Sequence, residues 1–143
     1  MSRHNPQFNA DALERSLKRK RIRYAHLKKL GGLRHAKKDS KNLGWRNASF
    51  RGFADYMAGP EFEEGLGELV RLASAKETAI MCAEAVPWRC HRSLIADALI
   101  KRGWLVRDIM SSAPAKKHRL TPFLKMEKGR LTYPDVQKPA RTL

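Results

Sequence analysis

The chain has 143 residues, and 42% of them are hydrophobic, which is enough to bury one core as a single domain over residues 1–143. Two cysteines are too few for a secreted disulfide scaffold, and neither a bilayer-length apolar run nor a signal-peptide pattern occurs, so we expect a cytoplasmic protein without membrane contact. The net charge of +16 divides into +11 for residues 1–46, −1 for residues 47–110 and +6 for residues 111–143, which favours nucleic acid as a partner unless these charges only solvate the surface.

The first half of the chain predicts three helices and one strand. Asn9 or Asp11 can cap a helix that runs to Lys20, and alternation predicts a strand over Ile22–Leu27. Leu33–Ser49 lacks periodicity and reads as a long loop. Two further helices are predicted, a short one over Phe53–Met57 and a longer one over Glu61–Ala73.

The second half predicts a strand, a helix and a strand, followed by a hairpin. The predicted elements are Thr78–Cys82, His91–Arg102, Trp104–Met110 and a hairpin that joins Phe123–Met126 to Arg130–Tyr133. Strand, helix and strand at this spacing are typical of a right-handed βαβ unit. We therefore expect a small three-layer α/β domain with a short, mostly parallel sheet. Its strands include Ile22–Leu27, Thr78–Cys82 and Trp104–Ile109.

Reactive groups are concentrated between Cys82 and Arg92, where the predicted strand ends and the next helix starts. A helix N-terminus there can hold an anion, and Arg89 and Arg92 can add bidentate contacts to a phosphate. Cys90 is the candidate nucleophile, because the helix end and the neighbouring His91 both favour its thiolate. Glu84 is either a general base or a brace for the arginines.

Other interpretations of these groups stay open. Cys90 can be a structural thiol, and Cys82, at the end of an apolar strand, is expected to be buried and inert. We expect neither a metal nor another cofactor, because structural zinc takes four ligands in short paired spacings and adjacent Cys and His side chains tend to diverge. A disulfide between Cys82 and Cys90 is not expected in a reducing compartment.

Several motifs together resemble the domain of unknown function family 488. The central one is Cys82-Ala83-Glu84 followed by Cys90-His91-Arg92-Ser93. The others are Ser2 to Phe8, Leu30-Gly31-Gly32, Trp45-Arg46-Asn47, Phe53 to Met57, His118 to Phe123 and Gly129 to Pro134. The resemblance implies a Rossmann-like α/β fold and no settled activity. Ser93, the last residue of the central motif, is a further candidate substrate-binding residue.

The chain differs from this family at two places. Family members usually carry a further strand, helix and strand before the segment that begins here at Arg3, so we expect an exposed apolar sheet edge. The second difference is Asp108, at a position where a histidine is common in the family.

A second group of candidate ligand-binding residues lies in the basic N-terminal part. Arg3, Asn5, Trp45 and Arg46 belong to the resemblance, and an arginine beside an aromatic ring can grip phosphate and stack a base. Trp45 can equally pack the long loop onto the core. His118 is expected to be an ordinary strand or surface residue. We expect the first group and the Arg3–Asn5 segment to converge on one pocket.

Two functions are therefore compatible with the sequence. The first is an enzyme that acts on a phosphate-bearing substrate, such as a nucleotide or nucleic acid, with Cys90 or Glu84 carrying the chemistry. The second is a non-catalytic nucleic-acid-binding module in which the Cys-His-Arg loop only holds phosphate.

Overall fold

The computed structural model describes residues 3–82 and 90–135, which form a mixed α/β structure. The helices in this part are α1 (Ala10–Arg19), α2 (Ala48–Tyr56), α3 (Pro60–Ala75) and α4 (Arg92–Lys101). The strands are β1 (Arg107–Asp108), β2 (Lys116–Lys117), β3 (Lys125–Glu127) and β4 (Arg130–Thr132), and single 3₁₀ turns cover Pro6–Phe8 and Lys28–Leu30. Within the described ranges, no helix combines the length and the apolar character that crossing a bilayer requires.

The helices follow the predicted pattern, with one difference at α2. α1, α3 and α4 agree with the predicted helices to within two residues. α2 begins five residues earlier than predicted, because the Asn47 side chain caps it. Its Oδ1 accepts the backbone N–H groups of Ser49 and Phe50 at 2.8 and 3.3 Å. This cap satisfies amides that would otherwise lack a partner at the helix start.

The C-terminal hairpin is confirmed. β3 and β4 pair antiparallel, with Met126 opposite Leu131. The turn between them places Lys128 at φ 49° and Gly129 at φ 77°. Two consecutive positive φ angles are typical of a type I′ turn, whose twist matches that of the strands it joins.

The predicted parallel sheet is not found, since both described sheets are antiparallel. Ile22–Leu27 and Thr78–Cys82 belong to neither sheet. The third predicted strand is reduced to β1, which pairs with β2, while the Val106 carbonyl accepts the His118 N–H at 2.9 Å. Hydrophobic side chains on these segments face solvent, including Met81 at 54% and Leu105 at 62% exposure. The prediction of buried strands was wrong for these segments, because a short apolar run does not by itself establish that its side chains are buried. The three-layer Rossmann-like arrangement stays a prediction.

The core is built mainly from helices. α2, α3 and α4 contribute most of its buried side chains, joined by Leu30 before them and Tyr133 after them. Gly65 of α3 lets the Lys28–Leu30 turn approach closely, because a Cβ atom at this position would lie 2.9 Å from the Cβ of Lys29. α4 is buried from Ser93 to Leu99, and this packing fixes the position of its N-terminus, where the candidate site lies.

A buried carboxylate connects α4 to the C-terminal segments. Asp97 is fully buried and accepts hydrogen bonds from the His118 Nε2 at 3.0 Å, the Thr121 hydroxyl at 2.7 Å and the Tyr133 hydroxyl at 2.9 Å. The other ring nitrogen of His118, Nδ1, faces the Asp108 carboxylate at 3.1 Å. The pKa of His118 is raised chiefly by its hydrogen bond to Asp97, against the effect of burial, and also by Asp108. These contacts hold segments that are distant in sequence against α4.

Candidate active site

Cys90 lies immediately before the first turn of α4 and is only 2% exposed. Its sulfur is 2.7 Å from the Cys82 sulfur and 3.6 Å from Nδ1 of His91. Arg92 directs two N–H groups at the same sulfur, with the backbone nitrogen at 3.4 Å and Nε at 3.3 Å. The site therefore gathers hydrogen-bond donors around one sulfur atom.

This environment favours the thiolate form of Cys90. Burial alone would raise the pKa of the Cys90 thiol, but hydrogen bonds from His91, Cys82 and Arg92 outweigh it and lower the pKa to about 6. Burial lowers the pKa of the Arg92 guanidinium, whereas its contacts with the two cysteines raise it, and the net change is upward. Each group thus stabilises the charged form of the other.

The imidazole of His91 occupies space that Gly32 leaves open. A Cβ atom at position 32 would overlap the His91 ring. The ring also packs on Phe53 of α2, with centroids 5.0 Å apart. The sequence predicts only that Gly31-Gly32 interrupts regular secondary structure. In the structure, the missing side chain of Gly32 leaves the space that the His91 ring occupies.

The N-terminal amides of α4 are already engaged within the chain. The Arg92 N–H is directed at the Cys90 sulfur, and the Ser93 N–H is donated to the Cys90 carbonyl at 3.1 Å. The Ser93 hydroxyl donates to the same carbonyl at 3.0 Å, and the residue is buried. The helix end therefore stabilises the anionic sulfur, while a substrate contact by Ser93 stays a prediction.

A cavity of about 540 Å³ lies beside this site. Arg92 lines the cavity, and so do Arg107 and Asp108. Leu69, Leu99 and Trp104 are among its apolar lining residues. With Glu77 the charged lining residues are two arginines and two acids, set beside an apolar wall, and one of the arginines is the residue that contacts the Cys90 sulfur.

The other predicted site residues are placed differently. Glu84 and Arg89 lie outside the described residues. Arg3, Asn5 and Arg46 are exposed, and their convergence on the Cys90 pocket stays a prediction.

Trp45 packs among aromatic rings. Its centroid lies 5.2 Å from that of Phe50, 5.0 Å from that of Phe123 and 5.5 Å from that of Tyr133. These contacts give it the packing role that the sequence left open beside base stacking.

Three potential metal ligands lie close together at the site. The ligand atoms of Cys82, Cys90 and His91 all lie within 4.8 Å of one another, so the side chains of the adjacent pair do not diverge as expected. Among the described residues no fourth His, Cys, Asp or Glu joins this group, whereas structural zinc takes four ligands. The Arg92 guanidinium already provides a positive charge at the same sulfur. The arrangement therefore fits a thiolate paired with a guanidinium better than a structural zinc centre.

The Asp97–His118 contact holds the C-terminal segments against α4 and is not predicted by the sequence. His118 was expected to be an ordinary strand or surface residue, but its side chain is only 6% exposed. Two signals were present: Asp97 follows Leu94 and Ile95 within an apolar stretch, and His118 and Thr121 belong to one of the motifs that carry the family resemblance. A carboxylate in a buried helix face needs partners, and a polar motif elsewhere in the chain is the natural supplier.

Comparison with known proteins supports the resemblance. The family model described as Domain of unknown function DUF488 matches residues 1–99, more than half of the chain. Neither a curated protein nor a solved structure gives a significant match.

Proposed function

The chain belongs to the DUF488 family, and we propose that it is an enzyme whose Cys90 thiolate acts on a phosphate-bearing substrate bound in the adjacent cavity. The observation that carries this proposal is the position of Arg92. Its guanidinium contacts the Cys90 sulfur at 3.3 Å, and the same residue lines the cavity. The same residue therefore contacts the proposed nucleophile and lines a cavity where a ligand can bind.

Each part of the site has a chemical role in this proposal. The Cys90 thiolate attacks an electrophilic centre of the substrate, since the thiolate is the reactive form of cysteine. Arg92 and Arg107 bind the phosphate, and the apolar wall receives the rest of the molecule. His91, with Nδ1 at 3.6 Å from the sulfur, exchanges protons with the leaving group. Glu84 is proposed to act either as a general base or as an ion-pair partner of the arginines. We propose the cytoplasm as the compartment, because thiols stay reduced there.

Binding of phosphate compounds provides the first test. We expect Arg92→Gln to weaken the binding of inorganic phosphate and of a nucleoside monophosphate about tenfold or more, because a charge-assisted hydrogen bond is lost. Isothermal titration calorimetry measures this effect. Cys90→Ser should keep binding and lose turnover on any phosphate ester that the wild type converts.

Arg71→Gln is the matched control, because Arg71 is an exposed arginine on α3 that neither lines the cavity nor belongs to α1. Equal phosphate affinity of wild type and Arg92→Gln would reject the proposed binding site. Unchanged turnover in Cys90→Ser would reject the proposed nucleophile.

A nucleic-acid-binding module is the second candidate function, and α1 is the observation that favours it. This helix has no buried residue, and Arg15, Lys18 and Arg19 are all exposed on it. It belongs to the segment of residues 1–46 that carries a net charge of +11. Exposed arginines and lysines on a helix can contact the phosphate backbone without reading sequence.

The salt dependence of binding tests this second function. If α1 binds the backbone, affinity for single-stranded RNA or DNA should fall steeply with salt, and the double change Arg15→Gln, Arg19→Gln should reduce the logarithmic slope by about two. Fluorescence anisotropy over a series of salt concentrations measures the slope. Arg92→Gln is the control, because it should leave the contribution of α1 intact. Binding that does not respond to salt would exclude this function.

A further inference from the structure

The two cysteines lie close enough to react with each other. The Cys82 and Cys90 sulfur atoms are 2.7 Å apart, although eight positions separate the residues in the chain. No disulfide joins the two residues in this structure. A disulfide bond is about 2.05 Å long, so the sulfur atoms need to approach by less than an ångström to form one.

The two thiols are not equivalent. Cys90 is buried and receives hydrogen bonds from the backbone and the side chain of Arg92, whereas Cys82 is half-buried and is contacted by the Arg92 side chain. The pKa of Cys90 lies at about 6, below its ordinary value of 9.0, so the buried Cys90 is largely a thiolate at neutral pH. One nucleophilic thiolate with a second thiol in contact is the arrangement that permits reversible oxidation.

We propose that Cys82 is a resolving thiol that forms a reversible disulfide with Cys90 when the site meets hydrogen peroxide. The Cys90 sulfur attacks one peroxide oxygen, the O–O bond breaks, and Cys90 becomes a sulfenic acid while water leaves. The Cys82 sulfur then attacks the Cys90 sulfur, the S–O bond breaks, and a second water leaves. The two thiols together lose two electrons, which reduce the peroxide to two waters.

This inference changes the role that the sequence assigned to Cys82. The sequence analysis expected an inert thiol and no disulfide in a reducing compartment. Disulfides in such compartments are usually transient and serve catalysis or redox sensing, and a resolving cysteine fits that class. The disulfide removes the thiolate from the site and protects Cys90 from irreversible oxidation to sulfinic acid.

Oxidation of the full chain tests the inference. Reduced wild-type protein is treated with a small excess of hydrogen peroxide, and its intact mass and free thiols are measured. We expect the mass to fall by two hydrogen atoms, both thiols to disappear, and dithiothreitol to restore them. In Cys82→Ser we expect the mass to rise by two or three oxygen atoms, in a form that dithiothreitol does not reduce, at least about tenfold faster than in wild type.

Two controls keep the result interpretable. Circular dichroism shows that Cys82→Ser retains its helices, and Cys90→Ser should react more slowly than wild type because the stabilised thiolate is gone. Wild type that gains oxygen as fast as Cys82→Ser, or that forms disulfides only between molecules, would overturn the inference. Neither measurement involves phosphate binding or turnover, so the proposed enzymatic function can fail independently.

Discussion

Asp97→Asn should lower the free energy of unfolding by about 3 kcal/mol, because it removes the buried charge of a hydrogen-bonded pair and leaves His118 with only the partly exposed Asp108 as its counter-ion. The change keeps the size of the side chain. Both carboxylate oxygens of Asp97 accept hydrogen bonds, Oδ1 from His118 and Oδ2 from Thr121 and Tyr133. Asparagine has an NH₂ group in place of one of these oxygens, and that group can donate but cannot accept, so at least one of the hydrogen bonds is lost. Urea denaturation followed by circular dichroism measures the loss.

Asp108→Asn is the matched control, because Asp108 contacts the same histidine with a side chain that is 25% exposed. Its effect should be clearly smaller, since water can replace the lost contact. An equal decrease in the free energy of unfolding in the two variants would contradict the prediction that the burial of Asp97 makes its hydrogen bonds more stabilising than those of Asp108.

The pH dependence of stability gives a second readout of the same pair. The folded-state pKa of His118 is raised above the ordinary value of 6.5, so folding favours the protonated ring. Its contribution to stability is therefore complete below pH 6.5 and is lost as pH rises through the higher folded-state pKa. Asp97→Asn should remove much of this pH dependence, because the hydrogen bond to Asp97 is the largest cause of the shift.

Cys90 should be mostly thiolate at neutral pH. With a pKa of about 6, compared with an ordinary value of 9.0, about nine-tenths of the Cys90 thiol is ionised at pH 7, whereas an ordinary thiol is about 1% ionised. The ultraviolet absorbance of the thiolate, followed during a pH titration, measures this without requiring a reagent to enter the buried site. The absorbance should fall as pH drops through 6.

Variants at the site identify the source of this signal. Cys90→Ser should abolish the low-pH transition. Arg92→Gln should shift the transition to higher pH, because it removes the hydrogen bond that Arg92 Nε donates to the sulfur and leaves the one from the Arg92 backbone N–H. A wild-type transition near pH 9 would contradict the assignment of a stabilised thiolate.

The helices and the terminal hairpin could be predicted because their signals are local. The apolar face of α3 repeats at helical spacing, and its start is marked by Gly59-Pro60. The two-residue turn at Lys128-Gly129 lies between the paired residues Glu127 and Arg130, so a window of four residues is enough to predict the hairpin. The cluster around Cys90 could also be located, since its reactive residues are neighbours in the chain.

The missed features depend on contacts between segments that are distant in sequence. Thr78–Cys82 has the composition of a buried strand, but a strand needs a partner, and composition does not supply one. The partners of Asp97 lie 21 to 36 positions away, so their convergence is not visible in a local window. The proximity of the two sulfurs is equally a result of how the chain returns to the start of α4.

The position of Arg92 implies a competition within the site. Arg92 contacts the Cys90 sulfur through Nε and also lines the cavity, so an anion bound to Arg92 in the cavity would compete with the thiolate for its positive charge. A thiolate with less compensation is more basic, and nucleophilicity rises with basicity. Under the proposed function, the unliganded site therefore holds a stabilised and less nucleophilic Cys90 thiolate, and binding of an anionic ligand to Arg92 would raise the nucleophilicity of that sulfur.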